Sequence, residues 1–277
     1  MLRIARAALY GVAPAELMLV VLLVAGVPLP RSVVLAAEAV VAAVIVLEVA
    51  AAGLLVRERR RDGAGWWAAF RSVDRLVPER VRRLMAFDFK GLVSVGLLLV
   101  RRRHGVPPGA TGLPYAGGQL TFQLAFLFAM VVEAAVAELL LRGIGAAEGL
   151  RTVVLVVDLY SILVVVAIVA ACVTRPHVVS DEELRVRYGA FFDLRVPRGL
   201  ISSVRLARNF NESGMVKVKD DRLSVAVSAQ TNVVVELSEP IVAVRPLGGR
   251  ATVRTIRFFA DDPAALIKAL PEPRTQP

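Results

Sequence analysis

Hydrophobic positions along the chain have two textures. As far as residue 173 they run in long blocks, and after Thr174 they shorten and alternate with charge. A bilayer core about 30 Å thick is crossed by about 20 mainly apolar helical residues, and four windows approach that length. The clearest, Val33 to Val56, is halted by Arg57, Arg59, Arg60 and Arg61. Leu120 to Leu141 and Thr152 to Val173 are two more, split by the turn-prone RGIGAAEGLR. The first window is less continuous. Its unbroken run is Leu17 to Leu29, and a span over about residues 8–29 takes in Gly11, Pro14 and Glu16. No A-x-A site follows to make it a cleaved signal, and the PLPRS turn joins it to the next window as a hairpin. The pattern predicts an α-helical polytopic membrane bundle of four spans, built from hairpins at 1–56 and 120–173.

Residues 57–119 form a basic loop between the hairpins. Trp66, Phe70, Val73 and Val77 recur at helical spacing with arginines between them, as in a helix lying in the headgroup plane. Trp66, Trp67, Arg71 and Arg75 are therefore candidate membrane-surface contacts, as are Arg101, Arg102 and Arg103. Leu84 to Val100 holds Asp88 and Lys90 and has arginine clusters at both ends. It reads as interfacial or re-entrant; were it to cross, the sidedness of everything after it would invert. GVPPGATGLPYAGG then serves as a Pro/Gly connector back to the third span.

Beyond Thr174 the alternation predicts a run of about seven strands and one helix. Leu184, Val186 and Tyr188 alternate with Arg185 and Arg187, as a half-buried strand requires. Further strands are predicted at Phe191 to Val196, Leu200 to Leu206, Met215 to Val218, Leu223 to Val227, Asn232 to Leu237 and Thr252 to Phe259. Asp261 or Asp262 can cap a helix over Pro263 to Leu270, with proline in its first turn. The stretch DEELRVRYGAFFDLRVPRGLISSVRL and the ending IRFFADDPAALIKAL resemble the first strands and the last strand and helix of bacterial pleckstrin-homology-like domains. The whole is similar to uncharacterised multi-pass membrane proteins of actinobacteria that carry such a tail. The resemblance covers residues 176–271. It implies a cytoplasmic, mainly-β bent barrel with a C-terminal capping helix, and a role in interaction. Phosphoinositide binding is not implied, because Arg205, Arg208, Lys217, Lys219 and Arg222 are accompanied by Glu212, Asp220 and Asp221.

Charge decides the partner class and the orientation. The 277 residues are 56% hydrophobic and only 6% aromatic, with 34 Lys+Arg against 24 Asp+Glu. An excess of +10 is compatible with nucleic acid or with an anionic bilayer. With the N-terminus inside, the outer loops carry only Arg31, Arg142 and Arg151, while the central loop alone carries 13 basic residues. Such asymmetry is the positive-inside pattern. It removes nucleic acid as a partner and predicts a multi-pass protein with both termini cytoplasmic; that the membrane is a bacterial plasma membrane is what the resemblance implies.

Candidate chemistry is confined to acids within the spans, where a charge is costly and often functional. By distance from the span ends, Glu38, Glu133, Glu138 and Asp158 share an outward layer. Two readings stand: a proton- or cation-binding site opening outward, or separate acids that pair with Arg31, Arg142 and Arg151 at the rim. Cys172 is the sole cysteine, and its place near the inner end of the fourth span suits a packed thiol. His104 and His177 have no zinc-type company, no phosphate-binding or nucleophile-elbow motif occurs, and no cofactor or metal is expected. The expected function is a non-enzymatic membrane anchor or scaffold that presents its tail to a protein partner or to a second copy. The alternative is a small cation- or proton-coupled transporter or accessory subunit.

Overall fold

The computed structural model describes residues 79–270 continuously, together with Leu35, Ala39, Val46 and Arg57. The windows at 8–29 and 33–56, the acid Glu38, and the surface candidates Trp66, Trp67, Arg71 and Arg75 lie outside the described residues. Contacts divide the chain into two units, one holding 83–130 and 161–277, the other holding 131–160 with the residues before 83.

Among the described residues three helices are long: α1 (Glu79–Leu99), α2 (Gly117–Gly143) and α3 (Glu148–Thr174). The third and fourth apolar windows lie inside α2 and α3. Each of these helices has 27 residues, about 40 Å at 1.5 Å per residue, and is long and apolar enough to cross a membrane. Many of their large apolar side chains are exposed, Phe122, Phe128, Leu139, Val156 and Leu159 among them, whereas the last turns of α3 are buried. An amphipathic helix of a soluble protein buries one stripe, whereas a helix apolar all round needs an apolar surrounding. The turn between the two closes with Gly145 in the left-handed region, φ 68°; its N–H donates to Arg142 O and that of Ala146 to Leu141 O.

Residues Leu84 to Leu99 belong to one uninterrupted helix, α1. One face of it packs on the neighbouring elements. Phe87 meets the Phe191 ring at 5.1 Å, a Cβ at Gly91 would lie 3.0 Å from the Ala167 methyl, and Ser94 is fully buried. The opposite face, Met85, Phe89 and Leu92, is apolar and exposed.

The remainder is mainly β, in two sheets. The first is an antiparallel meander of β1 (Thr111–Leu113), β2 (His177–Val179), β3 (Glu183–Tyr188) and β4 (Phe192–Pro197). The second has the order β5-β8-β9-β7-β6, from β5 (Ile201–Asn209), β6 (Val216–Lys219), β7 (Arg222–Val225), β8 (Thr231–Val244) and β9 (Arg250–Phe258). Its β7–β9 pair is parallel and its other pairs are antiparallel. Among the described residues no strand ladder closes these sheets into the expected barrel. One apolar core lies between them, with Leu184, Val186 and Val196 from the first sheet and Leu223, Val235 and Ile256 from the second. Helix α4 (Pro263–Ala269) seals it through Leu266, and Asp262 caps this helix by accepting from Ala265 N at 2.9 Å.

All seven predicted strands are present, and two more are found. The Pro/Gly connector supplies β1, whose three residues take strand form by pairing Thr111 with Val179 and Leu113 with His177. Strand β8 runs well past Leu237, because a register shift between Glu236 and Ile241 accommodates Pro240.

Candidate functional site at the helix–sheet junction

Short links join the helices to the first sheet. Only Arg175 and Pro176 separate α3 from β2, and three residues separate β1 from α2. Hydrogen bonds from α1, the loop after it and β3 clasp these links.

Arg187 is the centre of the lock. Its position in the alternation predicts an outward, solvated side chain, yet that side chain is 2% exposed. Loop residues 104 and 105 cover the outer face of β3 there. The guanidinium donates to His104 O at 2.8 Å, Gly105 O at 3.1 Å and Pro176 O at 3.4 Å, and its Nε lies 3.7 Å from Asp193. Asp193 is held chiefly by Arg185, at 2.6 and 2.5 Å. Burial pushes the Arg187 pKa down, but guanidinium bases are strong enough to stay charged, so carbonyl dipoles supply most of the compensation. Gly105 is required where it stands: its φ is 65°, and a Cβ would come within 2.6 Å of Arg187 Nη2.

Arg175 makes a second clasp, donating to Ser94 Oγ at 3.1 Å, His104 Nδ1 at 3.3 Å and Lys90 O at 3.4 Å. His104 N in turn donates to Thr174 O at 2.8 Å, satisfying a carbonyl at the end of α3. Burial first, and then the Arg175 and Arg187 charges, lower the His104 pKa, in keeping with an Nδ1 that accepts.

His177 is buried between these elements. Its Nδ1 accepts from Arg187 N at 3.0 Å, so Nε2 carries the hydrogen and donates to Phe259 O at 2.9 Å. Burial pushes its pKa down to about 4, and protonation would destroy the bond from Arg187 N. Tyr115 stacks on the imidazole at 4.6 Å, while its hydroxyl accepts from Gly189 N at 2.5 Å. Tyr188 donates to Gln119 Oε1 at 3.0 Å. Desolvation raises both phenols, Tyr188 to about 12. The Cys172 thiol is buried beside Tyr115 and Gln119.

Beside the lock, a cavity of about 390 Å3 opens between the end of α1, the start of α2 and the end of α3. Arg101, Arg102 and Arg103 line it with Leu98, Leu120 and Val173. Asp261, also on its wall, accepts from Gly117 N at 3.0 and 3.1 Å and so caps α2 from the far end of the chain.

The candidate acids on the apolar helices are arranged differently. Glu138 is ion-paired with Arg151 and lies 3.7 Å from Arg142, which is the rim-arginine arrangement. Glu133 is exposed on α2, five residues and about 140° away around the helix. Asp158 is half-buried on α3. Among the described residues no group of three His, Cys, Asp or Glu side chains is placed to hold a metal.

The residues of the lock carry little sequence signal. Arg187 and His177 occupy ordinary strand positions, and Tyr115 lies in a connector. Only the rarity of fully buried charge marks them, and burial is visible only after folding. No family model, curated protein or solved structure matches the chain.

Proposed function

We propose that this chain is an integral membrane protein in which α2 and α3 cross the bilayer and fix a β-rich interaction module against the cytoplasmic surface. The observation that carries the reading is the junction: two long apolar helices with many exposed apolar side chains run into the sheet through two- and three-residue links clasped by buried arginines. The module is then held at a set height and orientation, which suits a scaffold. The apolar outer face of α1, with Met85, Phe89 and Leu92 exposed, supports a helix lying at the bilayer surface.

The β region is read as an interaction module of the pleckstrin-homology-like kind. Support comes from two sheets sharing one core and a terminal helix inserted by Leu266; the parallel β7–β9 pairing is a departure from a simple meander. Arg101, Arg102, Arg103 and Arg175 cluster where α1 and α3 end, while Arg142 and Arg151 alone flank the α2–α3 turn, and this asymmetry supports a module on the inner side. The transport reading draws no support from Glu138, whose charge is taken up by arginine.

A topology assay tests the proposal. Single cysteines introduced at Ala147 and at Gly248, in a Cys172→Ala chain, should be labelled from opposite sides of sealed vesicles. Labelling from the same side, or release of the protein by alkaline carbonate, would reject it.

A further inference from the structure

We propose that the cavity at the junction is a binding site for the phosphate of an anionic phospholipid headgroup. The inference deepens the membrane-crossing reading of α2 and α3 and rests on it. Leu98, Leu120 and Val173 lie in the terminal turns of the three helices, where an acyl-glycerol region would pass, and Arg101, Arg102 and Arg103 follow directly beyond α1. A cavity of about 390 Å3 falls within the range of small-molecule sites. Its walls carry three cations against one acid, and that acid, Asp261, directs both oxygens to Gly117 N. Among the described residues no carboxylate engages any of the three arginines. Arg103 makes a 3.4 Å bond to Gly112 O.

The backbone gives an independent reason. Helix α1 ends with Val100 N donating to Gly96 O, Arg101 N to Leu98 O and Arg102 N to Leu97 O. Helix α2 ends with the same three bonds: Ile144 N to Leu140 O, Gly145 N to Arg142 O and Ala146 N to Leu141 O. The residue that turns left-handed is Gly145 in one and Arg101, φ 53°, in the other. Glycine fills this position at no steric cost and an L side chain does not. Helix closure alone therefore favours glycine at residue 101, and the cation kept there lines the cavity. Strain held at a ligand-facing residue is a mark of function.

The test uses the full chain in nanodiscs of phosphatidylcholine alone or with a minority of phosphatidylglycerol. Retained lipid is read by native mass spectrometry, and the thermal midpoint is measured alongside. Phosphatidylglycerol should be retained preferentially and raise the midpoint. Arg101→Gly should weaken that retention about fivefold, as expected for one arginine near anionic lipid, while leaving the midpoint in phosphatidylcholine unchanged or higher. Combined Arg101→Gln, Arg102→Gln and Arg103→Gln should abolish the preference. Unchanged retention in both variants overturns the site, and so does a midpoint in phosphatidylcholine that falls with Arg101→Gly. If millimolar inorganic phosphate in phosphatidylcholine discs reproduces the stabilisation, the ligand is soluble phosphate and the lipid assignment is overturned. Release by alkaline carbonate overturns the crossing reading and this inference together, whereas a carbonate-resistant chain that retains both lipids equally overturns the inference alone.

Discussion

Arg187 and His177 show how single residues hold the junction together. A buried charge is tolerated where polar groups compensate it: the carbonyls of His104, Gly105 and Pro176 accept from both Nη nitrogens of Arg187, and Asp193 lies 3.7 Å from its Nε. Arg187→Met should cost about 3 kcal/mol in denaturant unfolding, since those carbonyls lose their donor within the protein. Gly105→Ala should also destabilise, through its positive φ and through displacement of the guanidinium. The two changes should be non-additive in a double-mutant cycle, because the steric part of the second vanishes once the guanidinium is gone. His177 makes stability depend on pH. The unfolded imidazole takes up a proton as pH falls through about 6.5, whereas the folded one resists until about 4. Stability is therefore complete above the upper value and falls between the two, by about 3 kcal/mol at most for a fully buried group. Thermal midpoints of the detergent-solubilised protein across this window should show the decline, and His177→Gln should flatten it.

At the level of elements, each end is fixed by a local device whose partner is either near or far in the chain. Helix α4 is capped by its neighbour Asp262, and Asp262→Ala should cost about 1 kcal/mol in the same unfolding measurement. Helix α2 is capped by Asp261, 144 residues away. Asp261→Ala should therefore loosen the junction as well as the helix, and amide exchange at Gly117 to Leu120 should rise with it. The near device was legible: an aspartate followed by proline before an apolar run is a helix start. The distant one was not, because the identity of Asp261 does not reveal which helix it faces. Strand β1 follows the same rule. Thr111 to Leu113 lack the length and alternation of a strand and become one only against β2, whereas β3 and β4 announce themselves by period two.

For the molecule as a whole, two residues separate α3 from β2 and three separate β1 from α2, so these helix ends and the first sheet meet directly. Removing residues 176–277 would strip β2 from β1 and leave Tyr115 without His177, so that truncation would disturb the junction as well as the module. Surface substitution is the better probe of interaction. Phe210→Asp with Met215→Asp, at two exposed apolar positions, should leave the thermal midpoint unchanged while reducing self-association or partner cross-linking in membranes. Unchanged cross-linking would place the contact elsewhere on the module. At the other end of α2 and α3, Arg151→Gln should leave the Glu138 carboxylate with Arg142 alone, and carbonate-resistant insertion should fall if that pair neutralises a charge at the bilayer rim.

By itself, the order of residues determined what depends on short-range periodicity and composition. That includes the two long apolar helices, the alternating strands with their turns, the terminal helix with its cap, and the gathering of basic residues away from the α2–α3 turn. Each of these follows from neighbours within a few positions, where geometry fixes which side chains share a face. Tertiary structure alone decided which faces were covered. It buried Arg187 beneath a loop from 83 residues away, made a strand of the connector, set Asp261 over α2, and enclosed a cavity beside the consecutive Arg101, Arg102 and Arg103. Burial, pairing and enclosure depend on contacts between distant segments, and a one-dimensional pattern does not contain them.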